Sequence, residues 1–163
     1  MLISTKEEHI NFLKTNILDS IKILLNEKQI KFAFLLMGQA TEILGAYLDK
    51  KPIRAKQQSA ARFELAIYKL FPEEYKRINK SNFLYYQLRN FLIHSFIPSK
   101  NIILKSDSEK SFQKHLSFEN GCLILFADIF YSDLELAINK LIKYIEIDKI
   151  KLKKISGSDV EEY

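Results

Sequence analysis

The chain has no tryptophan, one cysteine, three prolines and four glycines in 163 residues. A lone Cys122 cannot close an internal disulfide, and one cysteine with three histidines is too few for a Cys/His zinc centre. Cys122 reads instead as a small apolar core residue. So little glycine and proline argues against a turn-rich β fold and for long helices. No apolar run approaches the roughly 18 residues of a membrane span, and the polar stretch Met1 to Glu8 has no signal-peptide core. No P-loop, Rossmann glycine pattern, paired-carboxylate spacing or Ser/His/Asp arrangement is present. These absences predict a soluble cytoplasmic protein with no metal, no other cofactor and no membrane partner.

What is present is a core. Hydrophobic residues make up 47% of the chain, enough for one globular domain. The net charge of +5 is compatible with an RNA or DNA partner. A lysine-, isoleucine- and asparagine-rich composition from an AT-rich genome accounts for it equally well.

Ser4 and Thr5 ahead of Glu7 and Glu8 make a capping-box start. Ile10, Leu13, Ile17, Ile21 and Leu24 then recur at helical spacing, predicting a one-faced helix to about Asn26. A second helix, about 30–49, is apolar nearly all round and is expected at the centre. Its Gly38, Thr41 and Gly45 fall on one narrow strip. An interior helical glycine costs about 1 kcal/mol relative to alanine, so two on one strip predict a closely packed neighbour. Gln39 and Glu42 are the polar exceptions. A third helix is expected over about 58–71, a new start at Pro72, and a further helix from Asn82 to about Ser95, capped by Ser81 and stopped at Ile97-Pro98. Over 100–126 short strand-like runs flank the turn signal Glu119-Asn120-Gly121. They predict a β-hairpin or three-stranded insert, with a helix continuing from Leu123 as the alternative. The last helix covers about 127–147. The expectation is a mainly α chain of four to six helices, one domain over 1–148, and an unstructured tail over 149–163.

The chemistry-bearing stretch is Leu88-Arg89-Asn90-Phe91-Leu92-Ile93-His94. It puts a guanidinium, an amide and an imidazole on an otherwise apolar helix, where such groups are rare unless paired or used. Arg89 offers a planar donor fork suited to phosphate, and His94 can exchange protons near neutral pH. One group to hold a phosphate and one to move a proton are the minimum for cleaving a phosphodiester without metal. Tyr85 and Tyr86 are candidates for stacking on a base.

Arg89-Asn90-Phe91-Leu92-Ile93-His94 resembles the R-x-x-x-x-H signature of the HEPN (higher eukaryotes and prokaryotes nucleotide-binding) superfamily, including the polar residue straight after the arginine. The resemblance covers residues 84–96 in motif and about 5–145 in architecture. It implies a helical bundle, often dimeric, and in many members a metal-independent endoribonuclease leaving 2′,3′-cyclic phosphate and 5′-OH ends. Arg89, Asn90 and His94 would then be catalytic, with Glu42 behind Arg89. It further implies RNA as substrate, a homodimer that builds a composite groove, and a toxin or phage-defence setting with an antitoxin protein as partner. Other HEPN-like chains are catalytically silent modules that bind a nucleotide, nucleic acid or protein. Phe96 departs from one branch. Toxins paired with a minimal nucleotidyltransferase carry there a tyrosine that can be nucleotidylated.

Structural roles compete for the same residues. Arg89 can pair with Glu42, Glu73 or Glu74. His94 can sit at a helix C-terminus favoured by the dipole, and Asn90 can bond locally. His115, in the expected insert, reads as an exposed residue.

Overall fold

Thr5 starts the helical part of the fold. In the computed structural model, which describes residues 2–109 and 111–156, its hydroxyl accepts the Glu8 N–H at 3.2 Å while Glu8 Oε2 accepts the Thr5 N–H at 2.9 Å. This is the predicted reciprocal capping box. α1 (Lys6–Asn11) passes without a break through a π-helical stretch (Phe12–Asp19) into α2 (Ser20–Asn26). Leu13, Ile17 and Ile21 are buried, as their spacing requires.

α3 (Ile30–Leu48) is the central helix. It packs against α2, against α4 (Ser59–Leu70) and against the long C-terminal helix α7 (Ala127–Glu146). Its small-residue strip touches two neighbours in succession. A Cβ on Gly45 would lie 1.8 Å from the Arg62 carbonyl oxygen of α4, and one on Gly38 would lie 3.1 Å from Arg89 Cβ. The predicted close approach is therefore real at Gly45, where backbone meets backbone.

α5 (Glu73–Ile78) begins after Pro72, with Glu73 and Glu74 in its first turn. The next helix does not start as expected. Ser81 adopts a left-handed conformation (φ 53°) within a 3-10 turn, and Asn79 supplies the cap by accepting the Leu84 N–H at 3.0 Å. The helix then continues through a π-helical stretch (Tyr85–Asn90) into α6 (Phe91–Ser95). Phe96 ends it in a left-handed conformation (φ 55°), a position usually given to glycine.

The insert is the three-stranded alternative. β2 (Ile102–Lys105) pairs in parallel with β4 (Cys122–Phe126), and β3 (Phe118–Glu119) pairs antiparallel with β4, in the order β2-β4-β3. Asn120 and Gly121 both have positive φ, 51° and 80°, as a two-residue hairpin turn needs. Leu123 is thus strand, not helix. Of the tail expected to be unstructured, residues 149–156 have a defined course. β5 (Ile155–Ser156) pairs antiparallel with β1 (Leu2–Ile3), joining the two ends of the described chain. The rest of that tail, 157–163, lies outside the described residues. The chain is mainly helical with two small sheets. Among the described residues no helix is long and apolar enough to cross a membrane.

Candidate functional site

Arg89 leaves the π-helical stretch with its Cβ against Gly38, so its guanidinium lies along α3. Glycine at position 38 eases this approach, because a Cβ there would lie 3.1 Å from Arg89 Cβ. Arg89 Nη2 donates to Gln39 Oε1 at 3.0 Å and lies 2.7 Å from Glu42 Oε2, and Cζ stands 5.7 Å from the centre of the Tyr85 ring. The contact with Glu42 is an ion pair without hydrogen-bond alignment. Neither Glu42 Oε2 nor Arg89 Nε has a hydrogen-bond partner among the described residues. Both side chains are nearly enclosed, 12% and 13% exposed. Glu73 and Glu74, the other candidate partners, pair instead with Lys76 and Arg77. Sequence reasoning marked Gln39 as a polar exception but did not assign it to Arg89. Its place three residues before Glu42 on an apolar helix was the available signal.

His94 sits in the last turn of α6, exposed, with no hydrogen bond or ion pair among the described residues. The Phe91 N–H bonds to the Tyr86 carbonyl, five residues back, and such π-type winding is frequent at functional sites. Asn90 is half-buried at the end of this stretch. Of the two stacking candidates, Tyr85 is buried, with its ring edge-on to Phe63 and Tyr86, while Tyr86 is exposed. Only Tyr86 therefore offers a free face.

An apolar rim surrounds this end of the molecule. Phe91, Phe96 and Ile97 are exposed around His94, and Phe32 and Leu36 are exposed on α3. The Phe32 and Phe96 rings touch, with centroids 6.1 Å apart.

His115 is not the exposed residue expected. It is half-buried, and Nδ1 accepts the Phe126 N–H at 2.9 Å. Nε2 must then carry the proton. It donates to the Tyr75 hydroxyl at 2.9 Å, which donates to Asp133 Oδ2 at 2.7 Å. Burial pushes the His115 pKa down to about 4. Burial and then the Asp133 charge push Tyr75 well up, and burial raises Asp133. This chain ties the insert to α5 and α7. Its members lie 40 and 58 residues apart, so no local spacing announced it.

Among the described residues no three His, Cys, Asp or Glu side chains converge as a metal-ligand group. No family model, no curated protein and no solved structure matches the chain.

Proposed function

We propose that the chain is a HEPN-like, metal-independent endoribonuclease acting as a homodimer. The observation that supports this best is the contrast within one short helical segment. Arg89 is fixed by Gln39, Glu42 and Tyr85, whereas His94 five residues on is exposed and has no partner among the described residues. A fixed cation and a free imidazole suit in-line transesterification of RNA. The ribose 2′-oxygen attacks phosphorus and the bond to the 5′-oxygen breaks. His94 takes the 2′-OH proton or protonates the leaving 5′-oxygen. Arg89 stabilises the charge gained by the phosphorane-like transition state, and Asn90 orients the imidazole or the phosphate. The products are a 2′,3′-cyclic phosphate and a 5′-OH.

The apolar rim supports the dimer. A two-fold axis through Phe32, Phe91 and Phe96 would bury them and bring two Arg89–His94 segments into one groove. In this reading the biological role is that of a toxin or phage-defence effector held in check by an antitoxin protein.

One observation favours a second reading, a catalytically silent module that binds a nucleotide, nucleic acid or protein. Glu42 already supplies Arg89 with a negative charge from within the chain. Expression of wild type beside His94→Ala separates the two. The ribonuclease reading requires growth arrest and RNA fragments with cyclic phosphate ends in wild type alone. Intact RNA with both proteins, alongside retained binding, transfers the assignment to the silent module.

A further inference from the structure

A second charged surface lies away from Arg89. A groove of about 690 Å³ runs between the residues that follow α3 and the chain that follows α7. Its lining includes Lys50, Lys51, Lys149, Lys151 and Lys153 against a single carboxylate, Asp49. That carboxylate is fully engaged. It accepts Arg62 Nε at 2.6 Å, Lys153 Nζ at 2.5 Å and the Lys51 N–H at 2.9 Å. Burial raises the Asp49 pKa, but the bonds from Arg62 and Lys153 outweigh it and leave the group below its ordinary value. Asp49 is thus a fixed anion facing inward.

The lysines divide into two sets. Lys153 has a structural role, since it also donates to the Ala46 carbonyl at the end of α3. Lys51 donates to Gln58, and Lys149 lies 4.1 Å over the Tyr144 ring. Neither of these two meets a carboxylate among the described residues. Lys50 and Lys151 are exposed and have no ion-pair partner among the described residues. Along 149–153 the lysines alternate with Ile150 and Leu152, which pack on the core, so the backbone is anchored while Lys149 and Lys151 stay exposed to water.

We propose that this groove binds the phosphate backbone of single-stranded RNA without reading its sequence. Lysine is a point charge with no bidentate geometry, which suits a flexible polyanion. The groove offers no open aromatic face for a base, because Tyr47 is buried and Tyr144 is covered by Lys149. It starts at Tyr47, while Arg89 meets α3 between Gly38 and Glu42. At 1.5 Å per residue the two lie about 8–14 Å apart along the helix axis. The groove therefore supplies affinity and not chemistry, and it stands whether or not His94 cleaves.

The test uses fluorescence anisotropy with a labelled 20-nucleotide oligouridylate, in a His94→Ala background so that no cleavage intervenes. Replacing Lys50, Lys149 and Lys151 together by alanine should weaken binding by at least about tenfold. It should also flatten the plot of log affinity against log salt by about two units, at roughly 0.7 per lost phosphate contact. The control replaces Lys22, Lys80 and Lys114, exposed lysines elsewhere, and should change affinity less than twofold. In the protein with all lysines intact, RNA should protect Lys50, Lys149 and Lys151 from acetylation more than those three. Equal loss in both triple variants, no protection, or binding to phosphatidylserine vesicles but not RNA would overturn the proposal. Cleavage is scored separately from product ends, so failure of one reading does not imply failure of the other.

Discussion

Replacing Gly45 by alanine tests how α3 is built into the fold, and Gly38→Ala tests how the same helix holds Arg89. In an exposed helix each change would gain about 1 kcal/mol of helix propensity. At Gly45 the new methyl would lie 1.8, 2.4 and 2.7 Å from the backbone O, C and Cα of Arg62. Backbone cannot rotate away, so α3 and α4 must separate by more than an ångström. Overpacking of this kind costs about 1–3 kcal/mol. Separation also strains the contact between Arg62 and Asp49, which joins the same two helices. Set against the propensity gain, the net expectation is a loss of about 1–2 kcal/mol, or roughly 2–8 °C in Tm for a chain of this size. At Gly38 the nearest atom is a side-chain carbon, Arg89 Cβ at 3.1 Å, which can yield by a few tenths of an ångström. Stability should stay within about 1 kcal/mol, because propensity offsets the contact. Cleavage should fall by a larger factor, because Arg89 is displaced. Urea unfolding followed by circular dichroism at 222 nm measures the first quantity, and an RNA cleavage assay the second. A Gly45→Ala protein as stable as wild type would refute the helix-packing account. Gly38→Ala with unchanged cleavage would refute the placing of Arg89 in the chemistry.

Arg89→Lys should lose cleavage almost as fully as His94→Ala, since it keeps the charge but not the planar fork. The expected loss is about 10²–10⁴-fold in a single-turnover assay, and EDTA should change nothing. Light scattering of wild type should give twice the monomer mass at micromolar concentration. Phe96→Asp should return it to monomer and abolish cleavage together, and an active monomer would refute the shared groove. Stability should fall on acidification because His115 binds its proton more weakly in the folded chain than in the unfolded one. The contribution is complete above pH 6.5, is lost as pH drops through 6.5 towards 4, and amounts to at most about 3 kcal/mol. Urea midpoints at pH 7 and 4.5 should therefore converge in His115→Gln relative to wild type.

The features visible in the sequence are those fixed by local chemistry. The Thr5–Glu8 capping box, the Asn120-Gly121 turn and the apolar spacing of 10–24 each depend on residues within a turn or two of one another. The structure follows them closely. The small-residue strip was legible too, because a glycine in a helix needs a reason and Arg62 provides one. What escaped depends on partners far along the chain. Asp49 meets Lys153 across 104 residues, and Tyr75 meets Asp133 across 58. Ser81 looked like a cap because its type is right, yet Asn79 has the geometry. The π-helical winding at Tyr85–Asn90 leaves no mark on a 3.6-residue period, although Arg89 lies within it.

The candidate site shows the same division. Arg89, Asn90 and His94 were singled out by the motif they resemble, and Glu42 by its oddness on an apolar helix. Burial then separates their roles in a way no spacing can. Arg89 and Glu42 are enclosed together while His94 faces solvent. In the proposed dimer the enclosed ion pair and the exposed imidazole would belong to one half of a groove, and an apolar partner surface would suit the rim. α3 carries the argument for the proposed second copy. Its sequence is apolar nearly all round, as in a helix buried on every side, yet Phe32 and Leu36 remain 45% and 38% exposed. An interface that covers them needs roughly 1,000 Å² in total to be stable. The exposed Phe91, Phe96 and Ile97 extend the same surface from the helix that carries His94. Under the proposed homodimer, completing the core of α3 and completing the groove around His94 would be one event, and a substitution that blocks the first should silence the second.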